Sequence, residues 1–270
     1  MKISFLLILI VSIPLLSLAE LPILDGTFTQ GGLIRGKVDP LTRVYYGDDK
    51  LRVSPEGNFI LGFSRDAKLS HTLFFIAPSG KVNDQEIQIR KRTYKIERID
   101  GVSERMMEPT ADDLTRIGRE AQLVKAARDI DSTLPFYKQP FIWPLTGRIS
   151  GVYGSQRILN GEPRRPHFGL DIAAPQGTKI KAPAGGVATL AHDGMFYSGK
   201  TLIIDHGHGL SSAFLHLNKI LVNAGDKVSQ GQVIAEVGAT GRVTGPHLDW
   251  RINWFDQRLD PALLVPVRKK

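Results

Sequence analysis

The sequence predicts a mostly β chain in three parts: a small N-terminal β-sandwich, a linker helix, and a C-terminal antiparallel β domain. Three observations carry this. Short β-prone runs recur about every ten residues between Gly, Asp and Pro turns. One segment shows capped helical spacing, and a Pro- and aromatic-rich stretch separates two β-rich halves. With 270 residues and 42% hydrophobic composition, the chain can bury at least one sizeable core.

The first segment, MKISFLLILIVSIPLLSLAE, has one Lys, an apolar run from Ile3 to Leu16, and the small-residue cleavage site Ser17-Leu18-Ala19. Residues 1–19 therefore read as a cleavable signal peptide. An uncleaved anchor needs ~20 apolar residues, and Pro14 and Ser17 interrupt this run. No later stretch is apolar enough to span a bilayer, so the expectation is an exported, periplasmic protein with no stable membrane span. The sequence has no Cys. An exported chain without disulfides relies on its core or on a metal, and any zinc must be held by His and carboxylates.

The formal charge of +8 falls to about +7 without Lys2 and favours anionic partners. For an exported chain these are cell-envelope polymers or anionic lipid, not nucleic acid. The clusters Arg90-Lys91-Arg92 and Arg268-Lys269-Lys270 read as solvated surface.

Residues 20–105 form the predicted sandwich. Its strands are expected at Leu33–Val38, Arg43–Tyr46, Leu51–Val53, Asn58–Phe63, Thr72–Ile76 and Glu86–Ile89. No chemistry is visible there, and His71, without a His or Cys partner nearby, reads as structural. Residues 106–140 form the linker. Thr110 can cap a helix with Asp113 in the capping-box position. Leu114, Ile117, Ala121 and Val124 follow at helical spacing, predicting one packed face. Lys125 and Arg128 close the last turn, matching the macrodipole.

The second β domain is predicted over residues 141–266, with a basic tail at 267–270. Its stretch Val222–Ile234 resembles the hairpin grammar of lipoyl and biotinyl carriers, but no Lys stands convincingly at a hairpin tip. Of the seven His, five lie between His192 and His247, and His167 is a sixth. In HFGLD, His167 and Asp171 would lie ~13 Å apart on a regular strand, so they share an ion only if the chain bends near Gly169. In GPHLDWRI the alternation sends His247, Asp249, Arg251 and Asn253 one way and Leu248, Trp250, Ile252 and Trp254 the other. Two readings stand there: a metal ligand beside a group acting on bound water, or a solvent face with an Asp249–Arg251 ion pair. The hairpin from Thr201 to Leu217 puts His216 at its far end. His206 and His208, in a Gly-spaced turn, are expected to be exposed and are left out of the site.

HFGLD, the turn GTKIKAPAGGVA, the AFLHL strand and GATGRVTGPHLDW, in that order, resemble the lysostaphin and LytM type of zinc metallopeptidase. The likeness covers about Pro144 to Pro261. It implies a duplicated, lipoyl-like β architecture and cleavage of peptide cross-links in peptidoglycan. Carried over, it makes His167 and Asp171 zinc ligands and His216 and His247 the catalytic pair. Asp249 fills the third ligand position, where relatives carry the second His of an HxH motif. The resemblance also implies peptide stems as substrate, and leaves another wall hydrolase or envelope protein as a partner for the N-terminal domain. The alternative it brings is a zinc-free relative that activates a cell-wall amidase or binds the wall.

Overall fold

The computed structural model describes residues 21–99, 109–159 and 161–268. The predicted signal, the junction of sandwich and linker at 100–108, and the last two residues of the basic tail lie outside them. Seven strands come first: β1 (Ile23–Gly26), β2 (Leu33–Lys37), β3 (Arg43–Tyr46), β4 (Asp49–Leu51), β5 (Asn58–Gly62), β6 (Ser70–Ile76) and β7 (Val82–Gln88). They form two antiparallel sheets, in the orders β1-β2-β5 and β4-β3-β6-β7. Strand β6 alternates, with His71, Leu73 and Phe75 inward, as a sheet with one buried face requires. His71 is structural: Tyr46 Oη lies 2.6 Å from its Nδ1 and its Nε2 donates to the Lys68 carbonyl at 2.8 Å. Strand β5 is buried on both faces because the C-terminal part packs against it; a Cβ on Gly62 would stand 2.9 Å from Trp254 Cβ. One continuous core thus runs through both parts. Strand β8 (Ile96–Ile99) pairs in parallel with a later strand.

Helix α1 (Ala111–Arg128) begins as its caps dictate. Thr110 Oγ1 accepts from Asp113 N, and Asp113 accepts from Thr110 N, a reciprocal pair contributing about 1 kcal/mol. The expected apolar stripe is packed only in part: Val124 packs inward, Leu114 is 57% exposed, and Ala127, outside the stripe, is the buried position. Ala127 and Val124 sit on Ile203, Ala213 and Leu215. Polar contacts hold the rest of the helix, with Phe196 N donating to Glu120 at 2.8 Å and Arg116 to the Gly194 carbonyl at 2.7 Å.

The C-terminal part adds β9 (Arg148–Gly151), β10 (Gln156–Leu159), β11 (Glu162–Pro163), β12 (Leu170–Ala173), β13 (Lys179–Lys181), β14 (Gly186–Met195) and β15 (Gly199–Gly207). It continues with β16 (Leu210–Leu217), β17 (Lys219–Ile220), β18 (Lys227–Val228), β19 (Val233–Glu236), β20 (His247–Trp254) and β21 (Gln257–Leu259). Its main antiparallel sheet runs β18-β14-β15-β16-β20-β12-β9, with β21 beside β20; β13-β19-β17 and β11-β10-β8 form smaller sheets. Strands β15 and β16 make a tight hairpin. His208 (φ 55°) and Gly209 (φ 76°) lie between the paired Gly207 and Leu210, as a two-residue turn with left-handed residues requires.

Strand β20 is the centre of the fold. Leu248, Trp250 and Ile252 are fully buried on one face. The opposite, polar face is covered too, since α1 lies across the neighbouring Ala213 and Leu215, and Asp249 and Asn253 are almost completely buried. No helix among the described residues is long and apolar enough to cross a membrane.

Candidate metal centre

Strand pairing, more than chain proximity, assembles this site. Asp171 on β12 stands directly opposite Asp249 on β20. Like charges in that register repel, so the pair requires positive charge nearby. Two glycines let the carboxylates in. A Cβ on Gly169 would lie 2.0 Å from Asp249 Oδ1, and one on Gly151 would lie 2.2 Å from Asp171 Oδ2. The sequence expects Gly169 to provide a bend; its backbone is not left-handed, and its role is to leave space.

His167 precedes β12 and is held by its backbone. Its N–H donates to the Ser155 carbonyl at 2.8 Å and its carbonyl accepts from Gly154 N at 2.7 Å. Gly154 is fixed in turn by Arg65, whose Nε donates to its carbonyl at 2.9 Å. The N-terminal part therefore reaches the site through two hydrogen bonds. His167 Nε2 faces Asp171 Oδ1 at 3.1 Å, yet both atoms are buried without a hydrogen-bond partner. Ligand atoms of His167, Asp171 and Asp249 all lie within 4.8 Å of one another. Buried lone pairs that converge without satisfying one another suit a cation between them.

The Asp249–Arg251 ion pair that the sequence raises as a rival is also present. Arg251 Nε contacts both carboxylate oxygens at 3.1 and 3.0 Å, and Nη2 contacts Oδ2 at 2.5 Å. Burial opposes the charge on Asp249, but Arg251, with His167 and His216, holds its carboxyl at about 2. Asp249 can thus face a cation and hold Arg251 at once, because a carboxylate has about four lone-pair sites. For His167, burial disfavours the charged form, but Asp171 and Asp249 outweigh it and the net shift is upward.

His216 reaches the site against the strand alternation, which would send it the way of Phe214 into the core. Its φ is 62°, and the β15–β16 register slips between Lys200 and Leu202. A bulge with a left-handed residue re-aims the side chain. Its Nδ1 bonds the Thr240 carbonyl at 2.9 Å, while Thr240 Oγ1 bonds the Leu217 carbonyl and accepts from Lys200 N. His247 Nδ1 bonds the Gly245 carbonyl at 2.9 Å. A carbonyl can only accept, so both rings carry the proton on Nδ1 and present a bare Nε2. The two rings lie 5.1 Å apart, and His247 Nε2 is 3.9 Å from Asp171 Oδ1. Burial lowers the His216 pKa.

The structure thus brings together all five residues that the sequence singles out. Sequence reasoning missed Thr240, whose carbonyl sets the His216 tautomer, and the chain from Arg65 to His167. His206 and His208 are outside the site, as expected, but they are buried rather than exposed. His206 is bonded at both nitrogens, to the Gly185 carbonyl and Ser212 Oγ, each at 2.7 Å. A cavity of about 370 Å³ between the two parts, lined by His71, His208 and Trp254 among others, contains none of the five.

Comparison with known proteins points to one family. Residues 165–261 match peptidase family M23, a span containing all five residues. Peptidoglycan DD-endopeptidase ShyA of Vibrio cholerae serotype O1 is 42% identical over 106 residues, 39% of this chain and 24% of the relative. DD-carboxypeptidase/endopeptidase Mpg of Neisseria meningitidis serogroup B is 38% identical over 115 residues, 43% of this chain and 26% of the relative. The chain therefore spans about a quarter of the length of these curated relatives. A crystal structure of a putative peptidase M23 from Pseudomonas aeruginosa superposes with a TM-score of 0.69 at 31% identity, covering 88% of this chain and 95% of that one. Similar along almost the whole length of that structure, this chain belongs to peptidase family M23.

Proposed function

We propose that the chain is an exported, zinc-dependent endopeptidase that hydrolyses peptide cross-links of bacterial peptidoglycan, with a D,D bond as the target. The observation that carries this is the convergence of His167, Asp171 and Asp249, two of them with buried unpartnered ligand atoms, beside two histidines with bare Nε2 atoms. The relative named as a peptidoglycan DD-endopeptidase supports the substrate class, and the one named as a DD-carboxypeptidase/endopeptidase supports the bond type. His167, Asp171 and Asp249 would hold the zinc. When bound, zinc supplies Lewis acidity that polarises a carbonyl and acidifies water.

The chain's own residues supply the proton handling. His247 and His216, tethered through Nδ1, can take a proton from the attacking water at Nε2 and return it to the leaving amine. Once protonated, either Nε2–H can donate to the developing carbonyl oxyanion. Arg251 supports the ligand position: Asp249 with its guanidinium is a net neutral unit, as the imidazole of an HxH motif would be. The extra negative charge expected of an Asp in this place is thereby offset without removing the oxygen donor. In this reading the signal at 1–19 is removed, the domain at 20–105 buttresses the His167 loop through Arg65, the linker at 106–140 carries α1, and 141–266 is the peptidase domain.

The Asp249–Arg251 pair is also the observation that favours the second reading, a zinc-free protein that stimulates an amidase, since the guanidinium already neutralises one ligand. Metal analysis of the purified chain with Asp249→Ala beside it separates the two. Stoichiometric zinc, lost with Asp249→Ala, and chelator-sensitive cleavage of cross-linked muropeptides are expected. A metal-free chain that cleaves nothing alone but accelerates a partner hydrolase would establish the second reading instead.

A further inference from the structure

Beyond the metal centre, the same sheet face carries a group of arginines. Directly opposed antiparallel residues share a face. Asn253 opposes Arg258 on β21, while Ala213 and Leu215 on β16 oppose Arg251 and Asp249. Arg258 and Arg251 therefore stand on the side of the sheet that bears Asp249. Arg258 lies 5.0 Å from the ring centroid of Phe168, the neighbour of His167, and Arg165 lies 5.6 Å from the same ring. Arg128 arrives from α1. Its neighbour Ala127 packs on Ala213 and Leu215, and Arg128 Nε is buried without a hydrogen-bond partner.

Of these four cations, Arg251 is held by Asp249. Among the described residues, Arg128, Arg165 and Arg258 have no carboxylate within ion-pair distance. Burial, followed by the neighbouring guanidinium groups, pulls Arg128 down to about 9 and Arg258 to about 10. Such a group weakens the fold unless an anion joins it. Arg165 is exposed and Arg258 half-buried, so their donors are reachable from solvent.

We propose that Arg165 and Arg258, backed by Arg128, form a specificity subsite for a free carboxylate on the peptide substrate. The proposal rests on the endopeptidase reading only in taking the ligand to be a peptide. Guanidinium forks match a planar carboxylate in bidentate fashion, and both groups lie against the Phe168 ring. Arg251 and Asn253, the latter level with Arg258, stand two and four residues beyond Asp249 on β20, about 7 and 13 Å along the strand. The carboxylate would therefore sit roughly two to four extended residues from the scissile bond.

The test uses the full chain treated with chelator, so that binding is read without cleavage. Two synthetic peptides, identical except that one carries a free carboxylate three residues from the scissile bond and the other its amide, are titrated by calorimetry. The acid is expected to bind about tenfold or more tightly than the amide, as charge-assisted hydrogen bonds imply. This ratio is expected to fall to about one in the Arg165→Gln/Arg258→Gln double variant, with a melting temperature no lower than the parent's as the control for folding, and to shrink with added salt. Binding of neither peptide, equal binding of both, or a preference that survives in the double variant would overturn the subsite. Failure of the zinc-loaded chain to cleave either peptide would instead count against the endopeptidase reading, because the affinity ratio is measured independently.

Discussion

Four histidines sit on or beside the β15–β16 hairpin, and they divide into two pairs with opposite fates. His206, His208 and His216 are buried and His247 is half-buried, so solvent access does not separate the pairs. What the rings face does. His206 is tied at both nitrogens within the fold, and His208, its Nδ1 buried without a partner, is stacked 4.0 Å from the Tyr137 ring, outside the metal centre. His216 and His247 are each tied at Nδ1 alone; the second nitrogen of His247 lies 3.9 Å from Asp171 Oδ1, and the His216 ring lies 5.1 Å from that of His247. A histidine able to do chemistry here is one that the fold orients through one nitrogen and leaves open at the other.

The largest expected effect tests that distinction. His247→Ala and His216→Ala are each expected to lower muropeptide turnover by about 10²- to 10⁴-fold, the range for loss of a positioned acid–base group, while zinc content stays near one per chain. His208→Ala is expected to leave turnover per folded molecule within about twofold, because surface and structural changes away from a site act mainly on stability. If His208→Ala silenced the chain at an unchanged melting temperature, the division into two pairs would fail.

Much of this arrangement was legible from the residues. The capping box at Thr110 and Asp113 and the two faces of β20 follow from local chemistry and period-2 alternation, both of which act within a few residues. The five site residues were legible through a likeness of ordered motifs. What was hidden depends on contacts distant in the chain. The alternation places His216 with Phe214, and only the bulge and a φ of 62° turn it toward the site. The Gly-spaced turn suggests exposed His206 and His208, whereas Tyr137 and Phe141 from the segment before β9 close over them. The alternation alone leaves the polar face of β20 open between a metal site and a solvent face, and α1 lies over the neighbouring strand through Ala127 and Val124, while Leu114 at the start of the stripe stays exposed.

An intermediate effect is expected where the open nitrogens meet the carboxylates. In Gly169→Ala the new methyl would stand 2.0 Å from Asp249 Oδ1 and 2.9 Å from Arg251 Cγ. Asp249 must then move, and zinc affinity measured against a competing chelator is expected to fall about 10- to 100-fold, as when a support of a metal ligand is disturbed. Gly194→Ala is the control, because nothing lies within 4 Å of its added Cβ and its φ is not positive. Equal zinc affinity in both variants would mean that Asp249 does not hold the metal.

The smallest expected effect belongs to the structural pair and appears as a pH dependence of stability. Burial is the main cause that pulls His206 and His208 from 6.5 down to about 4. The unfolded chain takes up a proton near pH 6.5 that the folded chain refuses until about pH 4, so each residue's contribution is full above 6.5 and is lost as the pH falls toward 4. Between pH 6.5 and 5 the loss is about 1–2 kcal/mol for a fully buried imidazole such as His206. Replacing His206 with Ala removes that proton linkage while lowering stability at pH 7 by about 1–3 kcal/mol through lost hydrogen bonds. Urea midpoints at pH 7 and pH 5 are therefore expected to differ less in His206→Ala than in the parent chain. An equal difference in both would mean that His206 titrates alike in the folded and unfolded states, and the contrast between sealed and open histidines would then rest on turnover alone.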